Sequence, residues 1–398
     1  MLFSMPDLEE QDLEVIDAVL ELRRQLRYAL AVRTRWSGVL RRVTMAQAIR
    51  SSNSIEGYRV SAEDALAAVD DGAPIEAEED DVAWAATVAY RRAMTYVLHL
   101  HDDPHFEYAP TLLRSLHFML VEYDLEALPG RWRPGAVFVN DTSSGEVVYE
   151  GPPSNDVPAL IDELVTDLGQ GDGQGLVKAA MAHLNLVMIH PFRDGNGRMA
   201  RVLQSLVLAR EGILAPEFCS IEEYLGRHTR DYYDVLADVG GGQWQPNRTA
   251  TPWVRFCLTA HARQARVLHR RTIEFGELYE WIDSEIDNRG LPERSAGALF
   301  LAAFGYRVTN ETYRNEATTT PATATRDLKA LTESGLLEAH GEKRGRWYAA
   351  TPDLRERSQR VVQRVREAAR FDPYEDPALM ADPYAQPTLN VENLTETV

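Results

Sequence analysis

Twelve consecutive residues, His190-Pro191-Phe192-Arg193-Asp194-Gly195-Asn196-Gly197-Arg198-Met199-Ala200-Arg201, bring together groups that can hold a polyphosphate and move a proton. Gly195 and Gly197 let backbone approach a ligand closely, and a helix starting there aims its first N–H groups and its dipole at an anion. Arg198 and Arg201 are three residues apart on that helix, so they share a face and can reach oxygens farther along a phosphate chain. Asp194, a carboxylate beside this positive nest, suits Mg²⁺, which takes one or two carboxylates together with phosphate oxygens. His190 titrates near neutral pH and stands close by in sequence, where it can accept a proton from an attacking hydroxyl. Each piece alone has a plainer reading: a His ending a helix is favoured by the dipole, Gly-Asn-Gly is a common turn, and helical arginines usually lie at the surface.

Taken together the residues resemble the Fic family motif, His-x-Phe-x-Asp/Glu-Gly-Asn-Gly-Arg-x-x-Arg, at every fixed position. The resemblance implies a mainly α fold, a Fic-type helical bundle with a small β-hairpin flap, that uses ATP with Mg²⁺. By position, His190 is then the base, Asp194 the magnesium ligand and Phe192 a buried anchor of the loop. Gly195, Asn196 and Gly197 hold the α-phosphate, and Arg198 and Arg201 contact the β- and γ-phosphates. The implied reaction is attack of a Tyr, Ser or Thr hydroxyl of a target protein on the α-phosphorus, with pyrophosphate leaving. Relatives that phosphorylate carry a Lys where this chain has Gly197, which favours AMP transfer. Because the motif grips phosphates and not the base, another nucleotide, removal of AMP, or a nucleotide-sensing regulatory module that binds DNA or protein stay open. Tyr232 or Tyr233, downstream of the motif, is expected near the base of the nucleotide. The segment 137–149 resembles the family flap, which pins a target by adding a strand; an ordinary surface hairpin is the alternative.

Upstream, Ser52-Asn53-Ser54-Ile55-Glu56-Gly57 resembles the inhibitory motif Ser/Thr-x-x-x-Glu-Gly/Asn of many Fic proteins. Physics marks the same place. Gly57 reads as the residue just past a helix end, which sets Glu56 at the negative end of the dipole, where a carboxylate is disfavoured by about 0.3 to 1 kcal/mol. Such a carboxylate calls for a cationic partner, and the resemblance supplies Arg201. An inhibitory set of Ser52, Glu56 and Gly57 on an N-terminal helix follows.

The elements that must position these groups read as mostly helical. A helix is expected from Leu13 to about Arg50, stopping near Ser51-Ser52-Asn53, and another from Ala62. Residues from about Asp81 to Asp124 look helical with a break at His101-Asp102-Asp103-Pro104, and Val137-Phe138-Val139 and Val147-Val148-Tyr149 flank a turn as a hairpin. Val157–Leu168 and Val177–Ile189 follow, the second with Val177, Ala180, Met181, Leu184 and Met188 on one face. Asn196–Arg210 repeats Met199, Val202, Leu203 and Leu206 at helical spacing, and helices continue over Asp231–Asp238 and from Thr251 to about Arg270. Four regions result: 1–75 with the inhibitory helix, a catalytic core over 76–271, a small domain over 272–352, and a C-terminal helix with an acidic tail over 353–398.

In the small domain, Thr319–Leu331 reads as a helix start after a turn, and 335–338 and 346–349 as strands around a basic tip, Lys343-Arg344. This resembles a winged helix, a module that reads DNA through its helix or serves dimerisation and protein contacts. The surrounding acid favours protein contacts, so the expected partners are ATP, the target protein and a second copy of the chain, with DNA the less favoured. A net charge of −19 opposes tight, non-specific binding to a polyanion. No apolar run is long enough to cross a bilayer and no signal segment is visible, which makes no membrane association and a cytoplasmic location the expectations. Cys219 and Cys257 read as buried apolar residues. His99, His101, Asp102, Asp103 and His105 form a helix end and loop more readily than a metal site, and His117 and His183 read as packed or surface helix residues. The lysine- and arginine-free tail after Arg370 reads as disordered or laid along a partner.

Overall fold

The computed structural model describes residues 1–31, 36–76, 78, 81–140, 145–170, 174–213, 220–342 and 345–368. In chain order the helices are α1 (Glu10–Ala31), α2 (Ser37–Ile55), α3 (Ala62–Val69), α4 (Val82–Leu100) and α5 (Pro110–Val121). After the strands β1 (Phe138–Asn140) and β2 (Val147–Glu150) come α6 (Val157–Gln170), α7 (Gly175–Ile189), α8 (Asn196–Arg210), α9 (Glu222–Arg227), α10 (Thr229–Gly240) and α11 (Thr251–Arg289). The chain continues through α12 (Ala296–Ala303), α13 (Asn310–Ala317), α14 (Pro321–Glu333), β3 (Leu337–His340), β4 (Trp347–Ala350) and α15 (Pro352–Ala368). Local chemistry sets many starts: Ser61 caps α3, Asp81 caps α4, Pro110 opens α5, and Thr320 caps α14 ahead of Pro321.

The described residues form two compact units, one of Met1–Arg24 and Thr44–Ala265, the other of Gln25–Val43 and the residues from Arg266 onward. In the first, α7 and α8 are the centre. Twelve of the fifteen residues of α7 and thirteen of the fifteen of α8 are buried, the signature of helices surrounded on all sides. The loop that joins them therefore springs from two fixed ends. Trp253 of α11 is fully buried, packs on His183 of α7 and donates its indole N–H to the Ala180 carbonyl at 2.7 Å. Beside this core β1 and β2 pair antiparallel with Phe138 opposite Glu150 and Val139 opposite Tyr149, and the register slips after Val139.

In the second unit α12, α13 and α14 are followed by an antiparallel β3–β4 hairpin, Leu337 opposite Ala350, and Val308 bridges to Tyr348 beside it. The expected basic tip Lys343-Arg344, Cys219, and the tail after Arg370 lie outside the described residues.

Two helix ends differ from expectation. α2 does not stop near Ser51 but runs to Ile55, so Ser52 and Asn53 are helical and fully buried; tertiary packing overrides the weak propensity of a Ser-Ser-Asn-Ser run. α11 continues past Arg270 to Arg289, because buried Phe275, Leu278, Tyr279, Ile282 and Ile286 extend its apolar stripe. Nor is the span from Leu13 to Arg50 one helix, since α1 ends at Ala31 and α2 begins at Ser37. No described helix is long and apolar enough to cross a membrane. The His99–His105 segment ends α4 and turns: His101 Nδ1 meets the Leu98 carbonyl at 2.6 Å and Asp103 accepts from the His105 amide.

Trp253→Ala should lower unfolding free energy by about 3–5 kcal/mol, read from urea midpoints; a loss below about 1 kcal/mol would mean that the α7–α11 contact does not hold the core.

Candidate active site

His190 terminates α7 in the left-handed conformation, φ 49°, and its N–H still closes onto Leu186. Such a backbone is strained for a residue with a side chain, so its surroundings must impose it. Its Nδ1 lies 3.1 Å from the Val187 carbonyl. A carbonyl only accepts, so Nδ1 carries the proton and Nε2 presents a lone pair. Burial lowers the pKa of His190 to about 4; the Val187 carbonyl works against this, Arg133 adds to it, and Glu56 and Asp194 oppose it. The imidazole is neutral at physiological pH, with its Nε2 lone pair unprotonated.

Three side chains hold the following loop. Phe192 is fully buried, stacked on His117 with ring centroids 3.6 Å apart, and Trp132 covers it at 4.9 Å. Asn196 folds back to accept from the Phe192 N–H at 2.9 Å and to donate to its carbonyl at 3.0 Å. His117 accepts the Gly130 amide on Nδ1 and thus donates from Nε2 to the Asp194 carbonyl, 2.9 Å away. It too is kept neutral, burial lowering its pKa to about 4. Gly195 caps α8 at φ 76°, and Gly197 lies so close to Glu56 that a β-carbon would fall 2.3 Å from Oε1. Asp194 points outward, 57% exposed, and meets Arg198 Nη2 only at 3.8 Å.

Both motif arginines are 1% exposed, not surface residues. Arg198 donates to the Tyr123 hydroxyl at 2.6 Å, and its guanidinium sits 4.8 Å from the centre of the Tyr58 ring. Arg201 donates from Nε to Ser52 Oγ at 2.6 Å, and from Nη2 to the Ser52 carbonyl at 3.1 Å and to Glu56 Oε1 at 2.7 Å. Burial alone would weaken its charge, but the negative charge of Glu56, then the hydroxyls of Tyr232 and Tyr90, raise its pKa above the ordinary arginine value. Gly57, at φ 86°, turns the chain directly after Glu56. Ser52, Glu56 and Arg201 are thus brought together across 149 and 145 residues of sequence.

Of the two downstream tyrosines, Tyr232 is 1% exposed and its hydroxyl meets His183 Nε2 at 2.9 Å, while His183 Nδ1 meets Gln204 Oε1 at 2.7 Å. Tyr233 is 45% exposed, and its hydroxyl reaches the Ile55 carbonyl at 3.3 Å. Only Tyr233 keeps an open ring; Tyr232 belongs to the interior. The motif also did not reveal Tyr58, Tyr123, Arg133, or the buried pair in which the Tyr90 hydroxyl donates to Glu222. Burial raises the pKa of Glu222, with Tyr90 and Ser220 pulling the other way. These residues come from distant segments, and no local spacing signals them.

A bundle in which two buried helices present a Gly-Asn-Gly loop, two buried arginines and a neutral histidine has the groups that can meet an anionic ligand. Residues 107–208 match the model of the Fic/DOC family. It is 35% identical over 127 residues to the "Protein adenylyltransferase Fic" of Nematostella vectensis, covering 31% of this chain and 26% of that one. It is 34% identical over 110 residues to the protein of the same name from Aedes aegypti, covering 28% of this chain and 17% of that one. The matches thus span about a quarter or less of these relatives' lengths. A solved Fic family protein from Desulfovibrio desulfuricans G20 superposes with a TM-score of 0.55 at 22% identity, covering 87% of this chain and 98% of the other. Fic-1 from C. elegans gives 0.50 at 21% identity, covering 65% and 71%. At these identities the likeness is one of fold.

Nitrogen NMR on histidine-labelled protein tests the state of His190. Its ring should be almost wholly neutral at pH 6, protonated on Nδ1, where an ordinary imidazole is about a quarter neutral; a midpoint near 6.5 or the opposite tautomer would contradict the geometry.

Proposed function

We propose that the chain is a magnesium-dependent protein adenylyltransferase held in a resting state by Glu56. The observation that carries this reading is the site itself: a neutral imidazole with a lone pair on Nε2, beside an α8 N-terminus that Gly195 and Gly197 open to an anion. The α-phosphate of ATP rests against Gly195, Asn196 and Gly197, and Arg198 and Arg201 take the β- and γ-phosphates. A hydroxyl of the target protein attacks the α-phosphorus, the bond to the bridging oxygen breaks, pyrophosphate leaves, and the hydroxyl proton passes to His190 Nε2. Asp194, exposed and loosely engaged, keeps oxygens for Mg²⁺, which would neutralise charge on the phosphates.

Glu56 acts as the brake by occupying Arg201. While its carboxylate sits 2.7 Å from Nη2, a γ-phosphate must compete for the same guanidinium with like charge beside it. The hairpin of β1 and β2 exposes Phe138, Val147 and Val148, at 52%, 58% and 38%, which suits it to take an extended target segment as a further strand. We read α12–α14 with β3 and β4 as a winged helix, on the order of three helices then a hairpin with Val308 bridging to its second strand.

The test incubates wild type, Glu56→Gly and Glu56→Gly/His190→Ala with ATP labelled on the α-phosphate, Mg²⁺ and a cell lysate. Label should enter protein with the single variant, at least about tenfold above wild type, and vanish with the double variant. Equal labelling with the double variant would remove His190 from the chemistry. No label with any protein would favour a nucleotide-sensing role.

A further inference from the structure

Arg133, just before β1, is 4% exposed. A buried guanidinium ordinarily meets a carboxylate, since taking a charge out of water is costly. The hydrogen bonds of Arg133 go instead to backbone carbonyls: Nε to His190 at 2.8 Å, Nη1 to Gly135 at 2.5 Å, and Nη2 to Pro152. Its own amide donates to the Pro191 carbonyl at 2.9 Å. One planar group thus grips the left-handed turn at His190 and both outer ends of the hairpin, Gly135 before β1 and Pro152 after β2.

Around it the same two elements are tied again. The Tyr149 hydroxyl of β2 donates to the Met188 carbonyl of α7 at 2.8 Å, and the Gly151 amide closes onto the Val137 carbonyl at 3.2 Å. A β-carbon on Gly151 would lie 2.7 Å from Val137 Cγ1 and 3.4 Å from Arg133 Nη2, so the base of the hairpin packs closely against both. The exposed face of the hairpin and the strained backbone of His190 share one fastening.

From this geometry we infer that Arg133 is a positioning residue that makes the orientation of His190 and the seat of the hairpin one mechanical unit, so that a segment docked on the hairpin is delivered at a fixed distance from Nε2. Arg133 touches neither nucleotide nor target and acts through main-chain carbonyls. Lysine keeps the charge but carries its three N–H donors on one nitrogen and cannot span three separated carbonyls, so charge and geometry can be separated. The inference rests on the reading of His190 as the base, and the experiment tells the two apart.

In the Glu56→Gly background, Arg133→Lys and Arg133→Gln should each lower kcat for AMP transfer by about 100-fold, the scale for a reacting group displaced by about an ångström, while the affinity for ATP stays within about twofold. Hydrogen exchange should quicken at the amides of Gly151 and His190 in both variants, with no change along the middle of α8. Failure of the parent Glu56→Gly protein to label anything would overturn the proposed function but leave the exchange measurement to decide on Arg133. A kcat within threefold of the parent, ATP affinity falling in step with kcat, or unchanged exchange at Gly151 and His190 would overturn the inference. If Arg133→Gln does not fold, Arg133→Lys carries the test; failure of both to fold would make Arg133 a requirement of the fold and overturn it too.

Discussion

A guanidinium that is 1% exposed must find partners inside the protein, and that of Arg201 finds them at the end of α2, on Ser52 and Glu56. The Arg201 guanidinium is buried while the Glu56 side chain is 28% exposed, so the pair is half-buried and loss of the carboxylate would leave a buried cation poorly compensated. α2 is therefore fastened to α8 at its last turn, and the turn at Gly57 brings Tyr58 over Arg198 as Glu56 reaches Arg201. One short segment engages both arginines of the motif. A polyphosphate that replaced Glu56 would satisfy the same buried charge, so under the proposed function one arginine would serve both the resting and the nucleotide-bound state.

The loop next to this pair is fixed by groups that carry no charge. Neutral His117 joins Gly130 to Asp194, Phe192 stacks on it, and Asn196 closes the turn on Phe192. A protonated ring at His117 would lose its ability to accept the Gly130 amide, so burial of this histidine and order in the loop are the same fact. The cations of the site are in turn confined to places where backbone, tyrosine rings or a single carboxylate meet them.

Much of this was legible in the sequence wherever local chemistry is strong. The extents of α7 and α8 follow from apolar periodicity, and the hairpin from two short β-type runs around a turn. The carboxylate of Glu56 could be read as a misfit at a helix end before its partner was seen. What the sequence did not disclose is tertiary. Ser52 and Asn53 look like helix breakers until Arg201 and burial hold them in α2, and α11 passes Arg270 because its apolar stripe has surface to cover. His117, Arg133 and the Tyr90–Glu222 pair act across tens of residues, and Tyr232, expected beside a nucleotide base, is turned inward onto His183.

The link between Glu56 and Arg201 is tested most directly by comparing the calorimetric affinities of a non-hydrolysable ATP analogue and of ADP for wild type and Glu56→Gln. Neutralising the carboxylate should free Arg201 for the terminal phosphate, tightening the ATP analogue by about tenfold or more, some 1.4 kcal/mol, and ADP by less than about threefold. Equal changes for the two nucleotides, or none, would contradict the role given to this pair.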